Sequence, residues 1–404
     1  MSFQQGLSGL NATAKYLDVI GNNIANASTI GFKGATAQFA DVFANTAAGS
    51  TGNSVGIGAT VSSIPQSFSQ GNIEVTSNPL DLAINGNGFY RISTAGTVSY
   101  TRNGQFSLDK NGYVVNASGQ NLTGYPAAQG GAGITTATPT NLQVSTTDLP
   151  PSATTTARLQ VSLRPNDPIP TVTPFDPANN NTYDRTTSMT VYDSLGSPHI
   201  LATYFAKTGA NTWDIFGALN NVQIGAGTLG TMTFNANGTA AAIPPIALNM
   251  PVTTGAASIA MSLDLSSSTQ FSTDFSTAPP VQNGYGAGKL TGFSVAKDGL
   301  INGSYSNGQS RAQGQVVLSS FVNPHGLQIL GNNQWGETAL SGQPATGAPG
   351  SGTLGVLQSG ALEAANVDMT AELVDMITAQ RAYQANAQTI KTQDSVLQTL
   401  VNLR

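Results

Sequence analysis

Apolar residues recur at heptad spacing near the C-terminus, through a stretch (362–403) that contains neither proline nor glycine. Met369, Leu373, Met376, Tyr383, Ala387, Ile390, Leu397 and Val401 follow alternating steps of four and three, broken only by Gln380 and Asp394. This predicts one helix from Leu362 to Leu403, about 60 Å long. The N-terminus repeats the pattern with Phe3, Leu7, Leu10, Ala14, Leu17 and Ile24, and Gly21 occupies the seam between the last two. A helix over residues 1–29 is expected, ended by Gly31. Gly6, Gly9 and Gly21 each cost such a helix up to about 1 kcal/mol relative to alanine, so its stability has to come from a partner surface.

Between the two ends the period changes. The stretch from Val42 to Ile73 has no charged residue and is rich in small side chains, as expected of an extended linker. From Ile73 to Val144 the signal is short strands. Leu80, Leu82 and Ile84 alternate with Asp81 and Ala83, and Gly86-Asn87-Gly88 turns the chain into Phe89-Tyr90-Arg91-Ile92. Asn103-Gly104 and Asp109-Lys110-Asn111-Gly112 punctuate further strands that pack Tyr100, Phe106, Leu108, Tyr113 and Val115. In the middle, Met189–Tyr192, a turn at Asp193–Gly196 and Ile200–Phe205 predict a hairpin, with another strand at Trp213, Ile215 and Phe216. The strand signal resumes after Tyr285, with turns at Asp298-Gly299, Asn307-Gly308 and Gly331-Asn332, and a second low-complexity stretch (341–355) precedes the last helix.

The expected fold is therefore mainly β with terminal α-helices, in an elongated chain of nested, discontinuous domains. Residues 1–30 with 361–404 form a terminal helical domain whose helices pair like a coiled coil. Residues 31–72 are an extended linker or stalk. Residues 73–145 with 285–360 form a β core, and 146–284 an outer β insert.

Composition narrows the function. Only 9% of the 404 residues are charged, and the net charge is -5. So little charge weakens self-repulsion and favours dense packing between subunits. It argues against nucleic acid, which asks for clustered Lys and Arg. No cysteine is present, which excludes disulfides, thiol nucleophiles and Cys-ligated metals. The two histidines, His199 and His325, fall in different segments and are expected on the surface or in turns. The opening MSFQQGLSGLNATAKYLDV has no basic region followed by a continuous apolar run, so no cleaved secretory signal is expected, and no apolar run is long enough to insert in a membrane.

No enzyme motif emerges. Gly86-Asn87-Gly88 lacks the GxGxxG spacing and any βαβ context, and there is no HExxH, EF-hand loop or GxSxG. Asp81, Asp109, Asp193 and Asp298 sit beside predicted turns, where a carboxylate accepts backbone N–H groups. A glycan hydrolase would need two carboxylates roughly 5–10 Å apart in a cleft, and the spacing places no such pair. No cofactor or metal is expected. The long C-terminal helix, with polar Gln380, Gln384, Asn386, Gln388, Thr389 and Thr392 around Arg381, is expected to pack between subunits through contacts that can be re-paired.

Four blocks of sequence carry a resemblance. Ser2-Phe3-Gln4 through Leu7-Ser8-Gly9-Leu10-Asn11, then Leu17–Asn26 and Gly31-Phe32-Lys33, resemble the N-terminal signature of bacterial flagellar rod, hook and hook-associated proteins. Ser359–Asp368, Glu372-Leu373-Val374 and Gln380-Arg381-Ala382-Tyr383 resemble the matching C-terminal signature, and Leu82–Phe89 and Tyr100–Phe106 the shared β core. Within that family the length, the insert at 146–284 and the ending from Ala387 to Leu403 are similar to hook subunits. The signature positions are Asn22, Asn23, Asn26, Gly31, Phe32, Asn366, Val367 and Asp368.

The resemblance implies a tubular homopolymer, a flexible universal joint that transmits torque from rod to filament. Paired terminal helices would line a central export channel, with the β core as the tube wall and the insert facing outward. The implied partners are the chain itself, the flagellar rod, hook cap and hook–filament junction proteins, and the type III export apparatus, with no nucleic acid and no membrane insertion. The implied location is the extracellular hook on the basal body. Phe3, Leu7, Leu10, Leu17, Ile24, Met369, Leu373, Met376, Tyr383, Ile390, Leu397 and Val401 are the assembly candidates. The alternatives are a distal rod subunit, which would polymerise straight, and a hook–filament junction protein, which would form a short zone.

Overall fold

The computed structural model describes residues 2–42, 56–128, 133–136, 138–253 and 255–402. These divide into two units: Met1–Thr146, Gly292–Ser304 and Ser310–Arg404 form the first, and Thr147–Thr291 with Tyr305–Gln309 the second.

In the first unit, helix α1 (Ser2–Ala25) and helix α2 (Met369–Asn402) run antiparallel. The register is fixed by Gly6 against Ile390, Gly9 against Asn386, and Asn23 hydrogen-bonded to Glu372 at 2.9 Å. A Cβ on Gly6 would lie 3.1 Å from Ile390 Cγ1, and one on Gly9 2.9 Å from Asn386 Nδ2. The glycines that weaken α1 in isolation thus let α2 approach its backbone closely.

Both helices are shorter than their apolar patterns predict. The chain turns helical at Met369, not Leu362, because the Asp368 carboxylate accepts the N–H groups of Thr370 at 2.9 Å and Ala371 at 3.2 Å, capping α2. Leu362 instead lies buried in the strand Ala361–Glu363, which pairs antiparallel with Ile73–Val75. The predicted end at Leu403 lies outside the described residues. At the other end α1 stops at Ala25, where Asn26 donates its side-chain amide to the Asn22 carbonyl at 2.9 Å and turns the chain. Gly31 is therefore not the helix terminator. Its φ of +70° and a space in which a Cβ would sit 2.6 Å from the Asn103 nitrogen give it a different task, seating the segment after α1 against the β core.

The stretch expected to be an extended linker is partly paired. Gln38–Val42 runs antiparallel to Gly58–Ser63, while 43–55 lie outside the described residues. The pair packs on α1: Tyr16 meets Phe39 edge-to-face at 5.8 Å, and Gln5 donates to the Gly56 carbonyl at 2.6 Å. Small uncharged side chains, which suggested a linker, equally suit a strand pair lying flat on a helix.

The β core is antiparallel. Its strands follow the order Ser310–Val316, Asn121–Pro126, Phe89–Thr94, Thr97–Thr101, Gln334–Gly336 and Gln328–Gly331. Asn332 and Asn333, with φ of 52° and 54°, form the two-residue turn joining the last pair, as a primed hairpin turn requires. On one face Phe89, Tyr100, Phe321 and Trp335 cluster with Phe68, their rings meeting edge-to-face at 4.8–5.9 Å.

In the second unit, Arg185–Tyr192, Pro198–Gly209 and Thr212–Leu219 form a continuous antiparallel ladder. Its inward positions, among them Met189, Val191, Leu201, Phe205, Trp213 and Ile215, pack with Leu159, Leu163, Leu248, Met261 and Leu263 from the other strands. His199, expected on the surface or in a turn, lies beside the predicted hairpin turn but out of solvent. Its Nε2 lies 3.0 Å from Asp193 Oδ2 and its Nδ1 3.0 Å from Asn220 Nδ2. Because Asn220 Oδ1 accepts the Ile200 N–H, its amide nitrogen faces the ring, which assigns Nδ1 as acceptor and the proton to Nε2. With both ring nitrogens satisfied, burial carries no unpaired polar atom. His325 is exposed, in contact with Phe68. The chain enters and leaves this unit side by side: Leu149 and Gly288 exchange backbone hydrogen bonds at 2.7 and 3.1 Å, and Ser152 and Tyr285 at 3.0 and 2.9 Å.

Truncating Trp213 to alanine should destabilise the second unit by about 3–5 kcal/mol. Urea unfolding followed by circular dichroism would register it, and an unchanged midpoint would contradict this account of the core. A pH effect follows for the first unit. Burial, and then Glu337, pushes the Tyr100 phenol up to about 12. The unfolded chain therefore loses this proton first, and stability falls as pH rises from about 10 to about 12. Tyr100→Phe should flatten that fall in urea midpoints measured across the interval.

Candidate assembly interface

A buried ion triad holds the two chain ends to the β core. Glu363 accepts from Lys33 Nζ at 2.7 Å, Arg102 Nη1 at 3.2 Å and the Gly71 N–H at 3.0 Å. All three charged side chains are at most 3% exposed. Lys33 also donates to the Ser69 carbonyl at 2.7 Å and Arg102 Nη2 to the Gly86 carbonyl at 3.0 Å, and the guanidinium lies 5.4 Å over the Phe89 ring. Among the described residues, Arg102 Nε has no hydrogen-bond partner. Burial lowers the Lys33 ammonium below its ordinary value, with Glu363 opposing the shift. Two cations thus share one carboxylate in a buried site, an arrangement that depends above all on Glu363.

Six of the eight signature positions surround this triad. The Asn23 carboxamide is buried and pairs with both backbone groups of Ala35, at 2.8 and 3.0 Å, while reaching Glu372 on α2. Asn366 accepts the Gly34 N–H at 2.7 Å and donates to Ser67 and Ser69. Val367 packs against Gly34, where a Cβ would meet it at 3.1 Å. Gly31 and the buried Phe32 complete the segment, and Asp368 caps α2. Asn22 and Asn26 instead bond each other at the end of α1. Lys33, Arg102 and Glu363 had no assigned role in the sequence. The available signal was three charges within the signature blocks of a chain that is only 9% charged.

The heptad candidates lie elsewhere. On α1, the face turned to α2 runs through Gly6, Gly9, Tyr16 and Asn23, and the face under the strand pair includes Gln5, Ser8 and Tyr16. The predicted seam is a third face: Phe3 and Leu7 are exposed, and Leu10, Leu17 and Ile24 half-buried. On α2 the residues withdrawn from solvent are Glu372, Met376, Ala379, Ala382, Asn386, Ala387, Ile390 and Gln393, so the seam positions Met376, Ala387 and Ile390 are partly covered, Ile390 by Gly6 of α1. Met369, Leu373, Tyr383, Leu397 and Val401 stay exposed. The intramolecular contact thus sits one residue off much of the predicted seam and leaves an apolar stripe open. Among the described residues, no group of three or more acidic or histidine side chains is arranged to hold a metal, and no helix is long and apolar enough to cross a membrane.

Four family patterns match in order along the chain: flagella basal body rod protein at 3–33, the flagellar hook protein FlgE/F/G D1 domain at 83–156, the flagellar basal body protein FlaE D2 domain at 159–285, and the flagellar basal body rod FlgEFG protein C-terminal at 358–403. The flagellar hook protein FlgE of Escherichia coli K12 is 46% identical, with 100% of both chains covered. That of Salmonella typhimurium LT2 is 44% identical over 100% of both. The chain belongs to the flagellar hook protein family. It is a structural subunit of the bacterial flagellar hook, and the full-length match decides against the rod and junction alternatives. FlgE of Brucella suis is 33% identical, covering 99% of this chain and 98% of its own. The crystal structure of Helicobacter pylori FlgE2 shares the fold, with a TM-score of 0.54 at 15% identity, covering 72% of this hook-family chain and all of that one.

Glu363→Gln leaves two buried cations without their anion and should cost about 3–5 kcal/mol. Lys33→Met keeps the Arg102–Glu363 pair and should cost less. Urea midpoints of the two variants check the order, and the reverse order would contradict the triad's central carboxylate.

Proposed function

We propose that this hook-family chain polymerises with itself into a tube, using the open seams of α1 and α2 as contacts between subunits. The observation that carries the reading is the displacement of the intramolecular contact from the heptad stripe, which leaves Phe3, Leu7, Met369, Leu373, Tyr383, Leu397 and Val401 exposed on paired helices. An apolar stripe of this extent on a hook subunit calls for a neighbour. Leu10, Leu17 and Ile24 extend it on α1. In this reading the terminal helices (1–30 with 361–404) form the inner layer around an export channel, and the β core (73–145 with 285–360) forms the wall. The insert (146–284) faces outward, and 31–72 ties inner layer to wall. The tube joins rod to filament and transmits torque while bending. Its other partners are the rod, the hook cap, the junction proteins and the type III export apparatus that delivers it to the outside of the cell. It performs no catalysis. Short polar side chains and few charges suit a wall whose contacts must be exchanged as the tube turns.

Electron microscopy of the purified chain, grown in high salt with a hook seed, tests this. Curved tubes are expected. Leu7→Ser combined with Leu373→Ser removes apolar burial worth about 1.5–3 kcal/mol per side chain, raising the critical concentration roughly tenfold or more without changing the monomer's circular dichroism. Straight tubes would overturn the universal-joint reading, and monomers that persist beside seeds would overturn polymerisation itself.

A further inference from the structure

An asparagine followed by glycine is open to a reaction of the chain with itself. The glycine nitrogen attacks the asparagine Cγ, the new C–N bond closes a succinimide ring, and ammonia leaves with the carboxamide nitrogen. Water then opens the ring at either carbonyl, giving aspartate or isoaspartate, whose backbone carries one extra methylene. Glycine favours the first step because no Cβ stands in the way and its backbone turns freely. The reaction needs a nitrogen free to lose its proton and a carboxamide free to rotate. A hydrogen bond on either one has to break first.

This chain carries eight such steps, and the fold treats them unequally. In five the glycine N–H is committed. Gly112, Gly238 and Gly308 donate to the carbonyls of Asp109, Asn235 and Tyr305 at 2.9–3.0 Å, and Gly86 and Gly284 to the side-chain oxygens of Gln70 and Gln282. The Asn103 carboxamide is held instead, its Oδ1 accepting the Gln105 N–H at 2.9 Å. Asn302 sits inside the strand Leu300–Tyr305, opposite Ala312 of the neighbouring strand. Asn87 is left. It is exposed, and among the described residues neither its carboxamide nor the Gly88 N–H has a hydrogen-bond partner. The fold also requires the glycine that makes this step reactive: Gly88 has a φ of +128°, and a Cβ on it would sit 3.3 Å from Leu318 Cβ.

We infer that Asn87 is a modification site, converting without an enzyme to aspartate and isoaspartate through attack by the Gly88 nitrogen. The Asn87 carbonyl accepts the Gly355 N–H at 2.7 Å, which ties this turn to the strand that begins at Val356. One residue away, the Gly86 carbonyl accepts from Arg102 of the triad. The extra methylene of isoaspartate displaces the residue 87 carbonyl and loosens the turn. Aspartate adds a charge at an exposed position and leaves the backbone length unchanged.

Peptide mapping by mass spectrometry of the full chain, aged in mildly alkaline buffer, tests this. While the chain is folded, position 87 should convert about fivefold or more faster than any other Asn–Gly step. In guanidinium chloride the steps should converge, because the dipeptide is the same and the fold no longer selects among them. Electron-transfer fragmentation separates isoaspartate from aspartate at the site. Asn87→Gln should remove the signal, since glutamine closes its larger ring far more slowly. Urea midpoints then compare the products: Asn87→Asp should unfold with the native chain, and aged chain enriched in isoaspartate should unfold earlier. Faster conversion at any other Asn–Gly step of the folded chain, or protection of Asn87 equal to theirs, would overturn the assignment. So would the same rank order in guanidinium chloride, because sequence and not fold would then select the site. An isoaspartate-enriched chain with the native midpoint would overturn the tie between this turn and the β core.

Discussion

A carboxylate that is almost wholly removed from water needs its cations delivered to it, and Glu363 receives them from opposite regions of the chain. Lys33 comes from the segment after α1 and Arg102 from the β core, while Glu363 itself precedes α2. Without Glu363 the two cations would face each other in a site where desolvation is expensive. The end of α1, the core strands and the start of α2 must therefore be assembled together. Glu363 is held in place by the strand pairing of Ala361–Glu363 with Ile73–Val75, which is why the backbone there is extended and the helix waits until Asp368. The position of α2, and with it the direction of every open seam residue, follows from that junction.

Around the triad, side-chain amides do the work that backbone partners do in a sheet. Asn23 presents both a donor and an acceptor to Ala35, and Asn366 bridges Gly34 to the Ser67–Ser69 segment. Such pairs satisfy backbone groups in a segment that has only the isolated bridge of Ala35 with Gln66 beside it. They also explain how a chain with so few charges holds irregular segments in place. Lys33, Arg102 and Glu363 are buried where the ends meet the core, while Asp167 and Asp193 are buried in the second unit.

The periods of the sequence made both helices, the hairpin at 185–209 and the turn residues legible, because each rests on local chemistry. The boundaries were less so. Leu362 satisfies the heptad as well as any helical residue, and only the strand partner at 73–75 reveals that it belongs to a sheet. Gly31 looked like a helix stop because glycine serves both helix ends and close backbone approaches, and the Asn103 backbone that demands it lies far away in sequence. His199 could not be recognised as buried without Asn220, which arrives from the next strand turn. Among the site candidates, the apolar stripe was visible but its division was not. Which half faces α2 depends on Gly6 and Gly9, residues that contribute by lacking a side chain.

The ladder at the mouth of the second unit, Leu149 with Gly288 and Ser152 with Tyr285, brings the two connecting strands together as hydrogen-bonded neighbours. Everything between them is a cassette whose ends are already closed, about 5 Å apart. A cassette of another size or fold whose ends meet at one strand spacing could replace it without asking the β core to move. The inserted unit of such a chain is free to diverge at a rate set by its own environment, while the triad and the helix pair hold the rest of the sequence to one solution.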